Sequence, residues 1–191
     1  MKKVTLKVIT VLAISVLTAN TFAADLKKEA EHEVKVSIKA HSLVGISSTN
    51  QIELQPGAPV EAGEGLNFDA ASSNNSSIWL NYSSIIDELA NSISVSMDGD
   101  VLPQGVTIEL VAGNDASEGM GEVGQSSNVP VVLKNEAQTL ISGIKNCYTG
   151  TGAGAGHQLT YSLKMEQTTE NYKVLTSDSF TTTILYTITD N

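Results

Sequence analysis

The chain has 191 residues, 41% hydrophobic, 17% charged and 5% aromatic, with no arginine, eleven lysines against 21 acids and a net charge of −10. The acidic balance and the missing arginine exclude a nucleic-acid binder, which needs cations facing phosphates. Fifteen glycines and four prolines are too few for a collagen-like or low-complexity chain, and a single cysteine excludes an intrachain disulfide framework.

Lys2, Lys3 and Lys7 precede an apolar run from Val8 to Leu17, and Thr21-Phe22-Ala23 then places small residues at the −3 and −1 positions before Ala24. This is the layout of a secretory signal peptide, residues 1–23, cleaved after Ala23. The apolar run is about half of the roughly 20 residues that a spanning helix needs. The remainder, 24–191, reads as one domain with a polar tail at 24–33. Its eight lysines against 21 acids give a net charge of −13. The expectation is an exported protein, in the periplasm, at the cell surface or extracellular, with no membrane span after cleavage.

Beyond the tail, Val34, Val36 and Ile38 alternate with Lys35, Ser37 and Lys39, which is strand period with one face buried. Leu43, Val44 and Ile46 extend or bend this element, and Pro56-Gly57 and Pro59 interrupt the stretch after Ile52 and Leu54. Residues 70–77 read as a polar loop, 78–82 as a short strand holding the only tryptophan, and 85–90 as a helical turn or two. Ile93, Val95 and Met97 alternate with serines up to a turn at Asp98-Gly99, and Val106, Ile108 and Leu110 alternate with Thr107 and Glu109. Residues 113–128 read as a long loop, followed by short strands at 129–133 and 139–144. The clearest alternations come last, at Leu159, Tyr161, Leu163 and Met165, and at Ile184, Tyr186 and Ile188 behind Thr181-Thr182-Thr183. Seven to nine short strands without crossover helices predict an all-β, antiparallel β-sandwich.

Four groups of side chains carry candidate chemistry. Cys147 and His157 could meet across a hairpin, as a thiol and the base that would activate it. The glycines at 150, 152, 154 and 156 resemble a phosphate loop in composition, but a strand rather than a helix follows, so a mobile connection is expected. Asp98 with Asp100, and Asp115 with Glu118, are loop carboxylates of the type that holds calcium. Trp79 and Tyr82 could stack on a sugar or fill the core. No cofactor is expected.

The closing run Phe180-Thr181-Thr182-Thr183-Ile184-Leu185-Tyr186-Thr187-Ile188-Thr189-Asp190-Asn191 resembles the last strand of secreted bacterial surface sandwiches, namely chaperone–usher-type fimbrial subunits and WxL-like cell-surface domains. The early segment Val34–Ile38, behind a polar tail, is similar in position to the donor strand of a pilin. The resemblance implies a non-enzymatic structural or adhesive subunit that self-associates or joins other surface subunits, with Val34, Val36 and Ile38 as strand-exchange candidates. The alternative is an extracellular module that binds a glycan or calcium.

Overall fold

The computed structural model describes residues 29–189. The expected signal peptide, 1–23, lies outside the described residues. The chain divides into one unit that ends at Ser37 and a second that begins at Ile38. In the first, residues 29–37 form no helix or strand and are exposed throughout. The second carries the eleven strands, one short helix and one 3-10 turn found among the described residues.

These strands are β1 (His41–Ile46), β2 (Asn74–Ile85), β3 (Asn91–Gly99), β4 (Val106–Asp115), β5 (Met120–Gly121), β6 (Gln125–Ser126), β7 (Val131–Val132), β8 (Gln138–Ile144), β9 (Cys147–Tyr148), β10 (His157–Met165) and β11 (Thr182–Thr189). Four of them are two-residue pairings. All pair antiparallel, as expected of all-β chains whose connections are too short for crossovers. In the first sheet β10 lies between β2 and β4, β7 flanks β4, and β1 pairs with the opposite edge of β2, while β9 and β5 continue the edge that β10 occupies. The second sheet runs β11-β3-β8-β6.

Both sheets turn one face to a common core. Ile78, Leu80 and Tyr82 of β2, Ile108 and Leu110 of β4, and Leu159 and Tyr161 of β10 meet Ile93 and Val95 of β3 and Leu140, Ile141 and Ile144 of β8. The alternate positions point outward, which is the period-2 rule acting on Ser/Thr-rich strands. The hydroxyls of Tyr161 and Tyr186 bond to each other at 2.6 Å and join the two sheets through the core.

Several expectations change. Residues 34–38 are not a half-buried strand; the ladder starts at His41, where β2 supplies a partner. Strand β2 takes in Asn74–Ser77, expected as loop, because β10 pairs with that stretch as far as Asn74. No helix forms at 85–90; the helix is α1 (Thr169–Lys173), capped by the Thr168 side chain, which accepts from the Asn171 N–H. The 113–128 segment is not one loop, since β4 runs to Asp115 and β5 and β6 pair beyond it.

Candidate functional site

Val34, Val36 and Ile38 are 73, 80 and 81% exposed and join no ladder. Downstream, β11 pairs with β3 along all eight of its residues, and no described strand pairs with its other edge. Neither β11 nor β1 contains a lysine, an acid or a proline, the residues that ordinarily blunt a sheet edge. Leu43 on β1 and Leu185 on β11 are exposed as well.

Trp79 and Tyr82 do not share a surface. They are three apart on a period-2 strand, so Tyr82 enters the core while Trp79 points from the outer face, half-buried. Gln158 of β10 stands opposite Trp79 in register, and its amide donates to the Ser76 carbonyl at 2.9 Å. The Trp79 backbone is held by Ser47, whose hydroxyl accepts from the Trp79 N–H at 2.9 Å.

The glycine run is anchored rather than loose. The Asn81 amide donates to the Ala155 carbonyl at 2.7 Å and accepts from the Gly152 N–H at 2.9 Å. Gly156 has φ +71° and lies so close to the Leu80 carbonyl that a Cβ there would sit 2.1 Å from that oxygen. The alternation of glycines thus serves backbone geometry, and no helix follows to receive a phosphate.

The carboxylates fall into two places. Asp98 and Asp100 lie where β3 meets the start of β11, and the Asp100 carboxylate accepts from the Thr181 N–H at 2.8 Å. Asp115 ends β4, and Glu118 follows three residues on, exposed. The ten residues of β4 put roughly 30 Å between the two pairs. Among the described residues no three of His, Cys, Asp and Glu come together as metal ligands.

Cys147 and His157 both lie beside Tyr82, on the edge of β2 that β9 and β10 share. His157 is 1% exposed and Cys147 is buried. Burial, and then the nearby Asp115 charge, push the Cys147 thiol up to about 11. That is the reverse of what a nucleophile needs, because the thiolate is the reactive form. The ring nitrogens of His157 face other groups: Nδ1 is 2.8 Å from the Gly113 carbonyl and Nε2 is 2.8 Å from the Tyr82 hydroxyl. The Tyr82 hydroxyl in turn donates to the Val123 carbonyl. Burial first, and the Cys147 and Asp115 charges after it, raise the Tyr82 phenol well above its ordinary range. One oxygen of Asp115, Oδ1, is buried without a hydrogen-bond partner. A polar cavity of about 230 Å³ borders this cluster, walled by Asp115, Gly124, Gln125, Ser126, Asn128 and His157. The sequence suggested Cys147 with His157 and offered no sign that Tyr82 and Val123 would complete the set.

No protein-family model, curated protein or solved structure matches the chain.

Proposed function

We propose that the chain is an exported, non-enzymatic structural or adhesive subunit of a bacterial cell surface, built as a β-sandwich, whose copies associate by strand pairing. Residues 34–38 of one copy add to an open sheet edge of the next. The observation that carries this reading is that Val34, Val36 and Ile38 repeat with strand period yet are 73–81% exposed and unpaired. Strand β11 is the favoured acceptor, since its eight residues are uncharged and end one sheet. Pairing of this kind is heterologous, so it builds open chains of subunits, or rings where the rotation between copies closes. Full burial of each aliphatic side chain contributes about 1.5–3 kcal/mol, against the cost of ordering the tail.

Light scattering coupled to size exclusion, on residues 24–191 under reducing conditions, tests this. A ladder of multimers that disappears when residues 24–39 are deleted is the expected result. A monomer at every concentration, or a ladder indifferent to the deletion, overturns strand donation by the tail.

A second reading rests on Trp79, an aromatic turned out from the sheet beside the Gln158 amide. Such a ring and amide suit the apolar face and hydroxyls of a sugar unit in an extracellular glycan. Trp79 is the only tryptophan, so its fluorescence reports on this face alone. A saturable shift on titration with soluble polysaccharides, with binding lost in Trp79→Ala, is expected. An unchanged spectrum rejects glycan binding at Trp79.

A further inference from the structure

Two neighbouring stretches of the chain are near copies of each other. Val34-Lys35-Val36-Ser37-Ile38 and Ser42-Leu43-Val44-Gly45-Ile46 carry the same valine and the same isoleucine at their third and fifth positions. In β1, Ser42, Val44 and Ile46 fall opposite Ser84, Tyr82 and Leu80 of β2. Sliding the chain until Val34 takes the place of Ser42 sets Val36 and Ile38 opposite Tyr82 and Leu80. Lys35 and Ser37 then take the places of Leu43 and Gly45, which are exposed. By apolar pattern alone 34–38 suits the edge of β2 as well as β1 does. Yet 41–46 pairs there, and 34–38 joins no ladder.

The difference lies in two hydroxyls. Asn91 of β3 is 3% exposed, and its amide donates to Ser42 Oγ at 2.7 Å and to Ser84 Oγ at 3.2 Å. Val34 in the place of Ser42 brings no oxygen, so the buried amide loses its shorter hydrogen bond. One residue beyond β1, Ser47 Oγ accepts from the Trp79 N–H at 2.9 Å. The slide puts Lys39 there, whose side chain only donates. A buried donor deprived of its acceptor costs about what burial of Val34 gains, and the loss at Trp79 comes on top.

We propose that the edge of β2 is a strand-selective slot, in which the Asn91 amide and the Trp79 N–H admit the strand that carries hydroxyls at Ser42 and Ser47 and turn away the near copy at 34–38.

Selection of this kind reads oxygen atoms at fixed register positions, so it acts alike on the tail of the same chain and on the tail of a second copy. Residues 34–38 are thereby kept out of the sandwich and left for other edges. The slot stands apart from the assembly reading, because it decides which strand β2 takes within a monomer.

Hydrogen exchange of backbone amides, followed by NMR on ¹⁵N-labelled protein dilute enough to be monomeric, tests this. The Ser47 N–H donates to the Trp79 carbonyl, so by antiparallel alternation the N–H groups of Gly45 and Leu43 also face β2. In the native protein these two amides are expected to exchange slowly and those of Lys35 and Ser37 fast. Val34→Ser with Lys39→Ser gives the tail both hydroxyls at exposed positions that join no ladder. In that variant the Lys35 and Ser37 amides are expected to slow at least about tenfold, while Leu43 and Gly45 speed up as the tail takes the slot in a share of the molecules. Val34→Ala with Lys39→Ala, which supplies no hydroxyl, should leave exchange as in the native protein. Unchanged fast exchange at Lys35 and Ser37 in the serine variant, equal slowing in the alanine variant, or slow exchange there in the native monomer overturns the selection. Slowing at Lys35 and Ser37 with Leu43 and Gly45 still protected puts the tail on another edge, which overturns the slot and leaves strand donation standing.

Discussion

The chain holds two segments with the same alternation and opposite fates. Val34, Val36 and Ile38 alternate with Lys35, Ser37 and Lys39, and Ile184, Tyr186 and Ile188 alternate with Leu185, Thr187 and Thr189. The later segment is a strand with an eight-residue register against β3, its inner side chains packed on the core. The earlier one is exposed and unpaired. Alternation therefore specifies which side chains share a face and is silent on whether anything covers that face. In β11 the cover comes from a neighbouring strand and an opposing sheet; for 34–38 the proposed cover is another copy.

Substitutions sharpen the contrast. Tyr186→Ala empties an inner position of β11 and is expected to lower the unfolding free energy by about 3 kcal/mol in urea titrations. A loss below about 1 kcal/mol would mean that β11 is as dispensable as the tail.

Thiol chemistry separates buried from exposed positions next. With the Cys147 thiol near 11 rather than its usual 9, the thiolate fraction at pH 8 falls about 100-fold. Cys147 in the native protein is expected to react with iodoacetamide about 100-fold more slowly than a cysteine introduced as Val36→Cys in a Cys147→Ser background. Equal rates would place Cys147 outside the core.

Tyr186→Phe keeps the ring and removes only the bond to Tyr161, so about 1 kcal/mol is expected. Burial raises both phenols, so the fold favours their neutral forms. That stability is fully present below the ordinary phenol value of about 10 and is lost as pH climbs past it. Circular dichroism should show alkaline unfolding that begins above about pH 10 and is displaced upward in Tyr186→Phe relative to its own neutral-pH stability. Val36→Ala, the smallest change, should alter monomer stability by less than about 0.5 kcal/mol. A larger loss would show that the monomer already covers that side chain.

Much of the fold was legible because long strands write their faces into the sequence. The alternations at 93–97, 106–110, 159–165 and 184–188 all fall on observed strands with the expected residues inward. The misses share a cause. Asn74–Ser77 has no apolar rhythm and becomes strand because β10 lies beside it, and Thr169–Lys173 is a single capped turn too short to show a period. The candidate sites were less legible still. Trp79 and Tyr82 look like one aromatic pair until strand parity sends them to opposite faces. The four acids read as two pairs of calcium ligands, and neither pair gathers a third ligand among the described residues.

What the sequence determined by itself is local: strand period and the absence of charge along β11, whereas the turn expected at Asp98-Gly99 falls inside β3, where both residues pair with β11. Tertiary structure decided what stands next to what. Tyr82, Gly113, Val123 and His157 come from four separate stretches of chain, and only the pairing of β10 with both β2 and β4 brings three of them together. The physical reason is that hydrogen-bond partners and desolvation are properties of a neighbourhood. A period-2 pattern carries information two residues at a time, whereas the His157 neighbourhood is assembled across as many as 75.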